Sequence, residues 1–133
     1  PSYRGRWLPD TPAQRKLVVD RLRDWFPFSN SSPVEGIVEA IRTYYSSGKR
    51  ISLYVLGDEF TGTSVDSVVR AVDQINREDK TGQRRVRIHA LAFPVRPDAP
   101  QFTSVRFATL MRELCARNGG TFVGLNEPAS YRR

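Results

Sequence analysis

The sequence predicts an α/β protein with a parallel, Rossmann-like sheet of about three strands and about four helices. The first observation is an apolar run at residues 51–57, which stops abruptly at Asp58 and Glu59. A strand buried inside a parallel sheet has this pattern. The second observation is that strand-like and helix-like segments alternate over residues 33–125. Such alternation indicates right-handed crossovers and three layers, with helices on both faces of the sheet.

Two helices are predicted ahead of the first strand. In the first of them, Pro12 suits the first turn and either Asp10 or Thr11 can cap it. The second helix begins at Pro33, and Ser32 is its predicted cap. Its apolar stripe consists of Val34, Ile37, Val38 and Ile41.

A third helix and a second strand follow the apolar run. Ser64 is the predicted cap of this helix, and valines recur at intervals of three and four residues up to Ile75. A polar connection leads to the second strand at residues 86–93. This strand alternates at first and becomes apolar at its end.

The chain closes with a fourth helix and a short third strand. The helix is expected from about Ser104 to Arg117, because Gly119 and Gly120 form a helix stop signal. Residues 121–125 are the predicted third strand. We therefore divide the chain into an irregular lead-in at 1–10, a domain at 11–125 and a flexible tail at 126–133.

The composition indicates a single basic globular domain. The chain has 133 residues, a net charge of +7, and only three lysines among its 21 basic residues. This balance permits nucleic acid, acidic lipid or acidic protein partners, although an arginine-rich solvated surface has the same composition. No apolar run is long enough for a membrane span. The single cysteine excludes an internal disulfide, so a cytoplasmic location is slightly favoured.

The first strand has no strand ahead of it in the chain. Residues 51–57 would therefore form an apolar edge strand, and unpaired edges of this kind promote aggregation. We expect another chain, a missing upstream segment or the N-terminal segment to cover this edge. The chain also lacks an initiator Met, which is consistent with a piece of a longer or processed protein.

Few residues offer catalytic chemistry. The only histidine, His89, lies within a strand, and Cys115, the only cysteine, lies in an apolar helical pattern. This arrangement does not support a nucleophilic dyad, a triad or a zinc site. Asp58 is the first functional candidate, because ligands of open α/β sheets bind beyond the carboxyl ends of the strands. A turn or cap residue is its structural alternative.

Three segments together resemble the von Willebrand factor type A domain. Asn-Ser-Ser-Pro-Val-Glu-Gly-Ile-Val at residues 30–38 is similar to the family's Gly-Gly-Thr-Pro-Leu-x-x-Ala-Leu. Tyr-Val-Leu-Gly-Asp-Glu at residues 54–59 resembles its apolar strand that ends in Thr/Ser-Asp-Gly. Residues 86–93 followed by 110–122 resemble its last two strands and the helix between them. This resemblance implies that the chain forms the C-terminal two thirds of a doubly wound fold.

The resemblance also implies part of a metal site. The family often binds a divalent cation, usually Mg²⁺, through three loops at the carboxyl rim of the sheet. Its first loop, Asp-x-Ser-x-Ser, does not occur in this sequence. Ser32 matches the Thr of the second loop, Asp58 matches the Asp of the third, and Glu59 replaces a Gly. Ser32 also serves as a plain helix cap in the alternative interpretation.

These expectations define three hypotheses about function. The resemblance implies a non-enzymatic protein-interaction domain that binds a protein ligand at the carboxyl rim, with a cation site completed by upstream sequence. The first alternative is a basic nucleic-acid-binding module that uses arginines such as Arg84, Arg85 and Arg87. The second is a hydrolase or phosphotransfer enzyme that uses Asp58.

Overall fold

A computed structural model describes residues 5–25, 32–62, 64–77, 81–95 and 101–125. The chain divides into two compact units, Pro1–Ser31 and Ser32–Arg133, and each is described by itself. The predicted flexible tail at 126–133 lies outside the described residues, as do residues 26–31 between the first two helices.

The first unit contains helix α1, Pro12–Arg23. The Thr11 hydroxyl accepts a hydrogen bond from the Gln14 backbone N–H and caps the helix, while Asp10 forms an ion pair with Arg15. The Arg15 guanidinium lowers the pKa of the Asp10 carboxyl. None of the 12 residues of α1 is buried.

The second unit alternates helices and strands as predicted. Its elements in chain order are α2 Pro33–Tyr44, β1 Ile51–Gly57, α3 Val65–Ile75, β2 Val86–Ala92, α4 Gln101–Arg117 and β3 Phe122–Gly124. Ser32 and Ser64 cap α2 and α3 by accepting hydrogen bonds from the backbone N–H groups of Glu35 and Ser67, respectively. The predicted α/β fold with three parallel strands and four helices is confirmed.

Helix α4 begins earlier than the sequence predicted. Its first residue is Gln101, whereas the expected start was near Ser104. The Ser104 hydroxyl does not cap the helix but lies within its first turn, where it donates a hydrogen bond to the Gln101 carbonyl. A serine is tolerated in the first turn of a helix, because the backbone N–H groups of that turn have no hydrogen-bond acceptor within the helix.

The sheet is parallel, and its strands follow in the order β1-β2-β3. The register pairs Ile51 with Val86 and Gly57 with Ala92. On the other side of β2, Ala90 pairs with Phe122. Because each strand lies beside the next one in the chain, crossovers of a single hand place their helices on the same face.

One hydrophobic core lies between the helices and one face of this sheet. Alternate residues of β1 and β2 pack into it together with apolar side chains of all three helices of the unit. Its fully buried members include Ile37, Ile41, Val72, Ile88, Phe107, Leu110, Met111 and Leu114. Cys115 is 1% exposed and belongs to this core, as the sequence predicted.

The three helices described in the second unit all pack on this one face, and the expectation of helices on both faces stays a prediction. The outward residues of β1 are Ser52, Tyr54 and Leu56, and all three are exposed. The monotonic strand order explains why these helices share one face, since a reversal of the strand order is needed to place crossover helices on the second face.

Candidate functional site

The carboxyl rim of the sheet brings one predicted site residue next to apolar side chains. Asp58, Phe93 and Leu125 are the first residues after β1, β2 and β3. Backbone bonds continue the pairing here: the Phe93 N–H donates to the Gly57 carbonyl at 2.8 Å, and the Leu125 N–H donates to the Ala92 carbonyl at 2.9 Å. The three residues therefore lie side by side across the sheet, and all are exposed.

Asp58 projects from an anchored loop. It makes no hydrogen bond or ion pair with any described residue, whereas its neighbour Glu59 accepts a bond from the Thr103 hydroxyl at 3.2 Å. The Phe60 N–H donates to the Thr103 carbonyl at 3.1 Å, and its ring is 3% exposed. These contacts of Glu59 and Phe60 hold the loop against α4. The Asp58 carboxylate is therefore exposed to solvent on a loop whose position is fixed.

Ser32 lies at the same edge of the sheet as Asp58. Helix α2 packs against β1 and joins it through a short connection at residues 45–50, so the helix runs antiparallel to the strand. Its first residue is therefore at the strand's carboxyl end. The Ser32 hydroxyl accepts a bond from the Glu35 N–H at 3.4 Å, as a helix cap does.

These two side chains do not form a complete magnesium site by themselves. Mg²⁺ requires octahedral oxygen coordination, whereas Ser32 and Asp58 offer one hydroxyl and one carboxylate. No group of three or more His, Cys, Asp or Glu side chains that could hold a metal occurs in the described ranges. Any cation bound here would need ligands from a partner, from further sequence or from solvent.

The uncovered face of the sheet continues from this rim toward the amino ends of the strands. We call it the open face and define it by Tyr54 and Leu56 on β1, His89 and Leu91 on β2, and Val123 on β3. The register places Tyr54 beside His89, and their rings stack with centroids 4.9 Å apart. Tyr54 and Leu56 are each 60% exposed, which is unusual for a parallel sheet.

A hydrogen bond and a ring contact fix the His89 side chain on the open face. Its ring nitrogen Nδ1 accepts a hydrogen bond from the Thr121 N–H at 3.1 Å, which ties the start of β3 to β2. This bond requires Nδ1 to be free of a proton and leaves Nε2 as the protonated nitrogen of the neutral ring. The ring is half-buried beside Tyr54, as expected for a packed strand residue.

Sequence reasoning missed a buried pair of asparagines at the opposite edge. Asn76 follows α3 and Asn118 follows α4, and their side chains are joined by a 2.7 Å hydrogen bond. Asn76 also donates to the Val86 carbonyl and accepts from the Val86 N–H, both at 2.8 Å. Polar residues after helices look like ordinary connections in sequence, so no local signal marks this pair.

The predicted arginine cluster also lies at this opposite edge. Arg84, Arg85 and Arg87 line an open groove together with residues of the connection before β1. Asp73 on α3 forms ion pairs with both Arg84 and Arg117. Hence the basic surface and the carboxyl rim are at opposite ends of the strands.

No family model, curated protein or solved structure gives a significant match to this chain. The likeness to von Willebrand A domains is therefore a prediction from sequence motifs. Among the helices described, none is long and apolar enough to cross a membrane.

Proposed function

We propose that residues 32–125 form the carboxyl-terminal part of a von Willebrand A-type interaction domain that binds a partner protein and catalyses no reaction. The observation that carries this proposal is the exposed apolar surface of the open face, which is continuous with the carboxyl rim at Asp58. Contiguous exposed apolar surface of this kind marks interaction sites in folded proteins.

The apolar side chains of the open face and its rim are largely exposed, so a partner could bury them. Fully burying a Leu or a similar side chain stabilises a complex by about 1.5–3 kcal/mol. Leu56 and Tyr54 are 60% exposed, Val123 is 45% exposed and Phe93 is 44% exposed. A partner that covers them removes a large apolar area from water, while the anchored loop before α3 needs little reordering.

The occupant that fits this surface is a helix of the partner protein, with an apolar stripe over the open face. Helices that cover parallel sheets run antiparallel to the strands, so the helix N-terminus would lie at the carboxyl rim. The positive end of the helix dipole would then face the Asp58 carboxylate. If binding depends on a cation, we propose that Asp58 and a carboxylate of the partner share an Mg²⁺ ion.

The test measures binding of an identified partner to purified variants. We expect Leu56→Asp to weaken binding at least about tenfold, because it places a carboxylate in an apolar interface. Asp58→Ala should weaken binding and remove any stimulation by MgCl₂. A photocrosslinking residue at position 56 should reach the same partner helix.

Two control variants carry the same charge changes elsewhere. Val105→Asp alters an apolar α4 side chain that is 61% exposed, and Glu39→Ala removes a carboxylate from α2. Equal losses of affinity in these controls would contradict binding at the open face. A turnover measured with the wild-type chain and abolished by Asp58→Ala would instead favour the enzymatic alternative.

A further inference from the structure

The amino-terminal edge of the sheet carries a basic groove that the proposed function does not use. Its volume is about 710 Å³, and five of its lining residues are cationic: Lys49, Arg50, Arg84, Arg85 and Arg87. None of its lining residues within the described part of the chain is acidic. We call this feature the amino-edge groove.

The strand register assembles the groove from two distant parts of the sequence. Because Ile51 pairs with Val86, Arg50 lies beside Arg85 at the amino ends of adjacent strands. One step further along, Ser52 pairs with Arg87. Arg50, Ser52 and Arg87 are exposed, so two guanidinium groups reach solvent from neighbouring strands.

The buried asparagine pair gives this groove a fixed floor. Asn118 lines the groove and is 1% exposed, and its side chain bonds Asn76 and the Leu114 carbonyl. Arg84 is held in place by Asp73 at 2.8 Å and by the Arg117 carbonyl at 2.9 Å. A rigid scaffold of this kind reduces the ordering cost of binding.

All four arginines of the groove have donor capacity that no described residue uses. Arg85 lies over the Tyr45 ring at 5.2 Å, and its Nε is buried without an acceptor. Arg84 Nη1 is buried without an acceptor as well. No ion pair with another described residue neutralises Arg50 or Arg87. Orphaned buried donors call for an explanation, and a bound anion is one of the established ones.

Helix dipoles do not account for this charge. Cations in the last turns of helices complement the negative ends of the dipoles, as Arg42 in α2 and Arg117 in α4 do here. The five groove cations instead come from the connections before β1 and β2 and from β2 itself. None of the five groove cations is therefore a last-turn residue of a helix.

We propose that the amino-edge groove binds a small ligand that carries two or more phosphate groups. Arginine forks match pairs of phosphate oxygens, and several adjacent cations favour a multiply charged anion. The volume lies within the range of about 300–1,000 Å³ that is typical of small-ligand sites. One aromatic side chain, Tyr45, lines the groove, and Arg85 covers it, so stacking platforms for nucleic-acid bases are absent from its described lining.

The experiment titrates the full chain with sodium tripolyphosphate by calorimetry at about 0.15 M salt. We expect one ligand per chain, with orthophosphate binding more weakly. The double variant Arg50→Ala and Arg87→Ala should lose at least about tenfold in affinity, since it removes two sets of charge-assisted hydrogen-bond donors. Both side chains are exposed, so circular dichroism should show an unchanged fold.

The matched control is the double variant Arg21→Ala and Arg70→Ala. It removes the same charge from exposed helical positions outside the groove and should leave tripolyphosphate affinity nearly unchanged. An equal loss in this control would show diffuse electrostatic attraction and overturn the proposal. Absence of tripolyphosphate binding would also overturn it, as would tighter, groove-dependent binding of a single-stranded oligonucleotide.

Discussion

At the scale of single residues, the buried Asn76 amide joins three elements of the second unit. It bonds both backbone groups of Val86 at the start of β2 and the Asn118 side chain after α4. Asn76 and Asn118 are almost completely buried, with exposed fractions of 0% and 1%. Each of these bonds satisfies a group that would otherwise be buried without a partner.

Asn76→Asp is therefore expected to lower the free energy of unfolding by about 3 kcal/mol. The carboxylate keeps the oxygen that accepts from Val86, but it loses both amide donations and buries a charge. Urea denaturation measures the difference. Gln74→Glu is the matched control, because it makes the same chemical change at an exposed position of α3 and should have little effect. Equal destabilisation by both variants would contradict the role assigned to Asn76.

The Cys115 thiol provides a second prediction at this scale. Burial raises the pKa of this thiol above its ordinary value of 9.0, and the backbone of Ala90 lowers it to a smaller extent. The unfolded chain therefore releases the thiol proton first as the pH rises, so stability falls above about pH 9. The fall should continue until the pH passes the pKa of the folded thiol.

Two measurements check this behaviour. A disulfide reagent should modify Cys115 slowly in the folded chain and rapidly in urea, because the side chain is 1% exposed. Urea denaturation of the wild type and of Cys115→Ala at increasing pH gives two curves of unfolding free energy against pH. The difference between their slopes above about pH 9 is the contribution of the thiol. Rapid modification of the folded chain would show that the core around Cys115 is open.

At the scale of elements, the turn from α4 to β3 depends on the absence of a side chain at Gly120. A Cβ built on Gly120 would lie 1.7 Å from the Ile88 carbonyl oxygen of β2. Gly119 ends α4 with a φ of 65°, in the left-handed region that glycine favours. Gly120 is therefore needed because there is no room for a side chain, and Gly119 is needed because of its backbone conformation.

We expect Gly120→Ala to lower the free energy of unfolding by at least about 2 kcal/mol, because β3 must move away from β2. Gly36→Ala is a suitable control, since nothing lies within 4 Å of a Cβ at this exposed helical position. The control should stabilise α2 by up to about 1 kcal/mol through its higher helix propensity. Thermal unfolding of both variants distinguishes them, and a neutral Gly120→Ala would contradict the close approach.

The sequence predicted those elements whose signals are local. Ser32 and Ser64 cap helices because an N-cap depends on a few neighbouring residues, and Gly119 ends α4 for the same reason. The partnership of Asn76 with Asn118 spans 42 positions, so no local pattern predicts it. Likewise, alternating elements do not determine strand order, so the sequence pattern alone does not show on which face of the sheet each helix packs.

For the candidate sites, too, local features could be predicted from the sequence and long-range ones could not. Asp58 was predicted because it directly follows an apolar strand, which is a local observation. That Phe93 and Leu125 lie beside it depends on the register of three strands. The amino-edge groove likewise depends on the pairing of Ile51 with Val86, although its arginines were already visible as a cluster in the sequence.

At the scale of the whole molecule, β1 is an edge strand of the sheet within the described residues. The sequence-based expectation that another chain or segment covers residues 51–57 stays a prediction. We expect the purified chain to self-associate with rising concentration, or its β1 amides that point away from β2 to exchange slowly. Sedimentation velocity and hydrogen exchange measure these two outcomes. A monomer with rapidly exchanging outward amides would contradict the expectation.

The buried asparagine pair also bears on how the protein ages. An Asn followed by Gly is prone to deamidation, and residues 118 and 119 have this sequence. In the folded chain the Asn118 amide is held by Asn76 and by the Leu114 carbonyl, which keeps the Gly119 peptide nitrogen from attacking the side-chain carbonyl carbon and releasing ammonia. Unfolded molecules have no such restraint, so they should accumulate an acidic isoform that mass spectrometry can detect.

An aspartate at position 118 would place an unpaired carboxylate in the buried pair and oppose refolding. Each unfolding event thus carries a chance of permanent chemical damage at Asn118. If the folded chain deamidates as fast as the chain in urea, this protection does not operate.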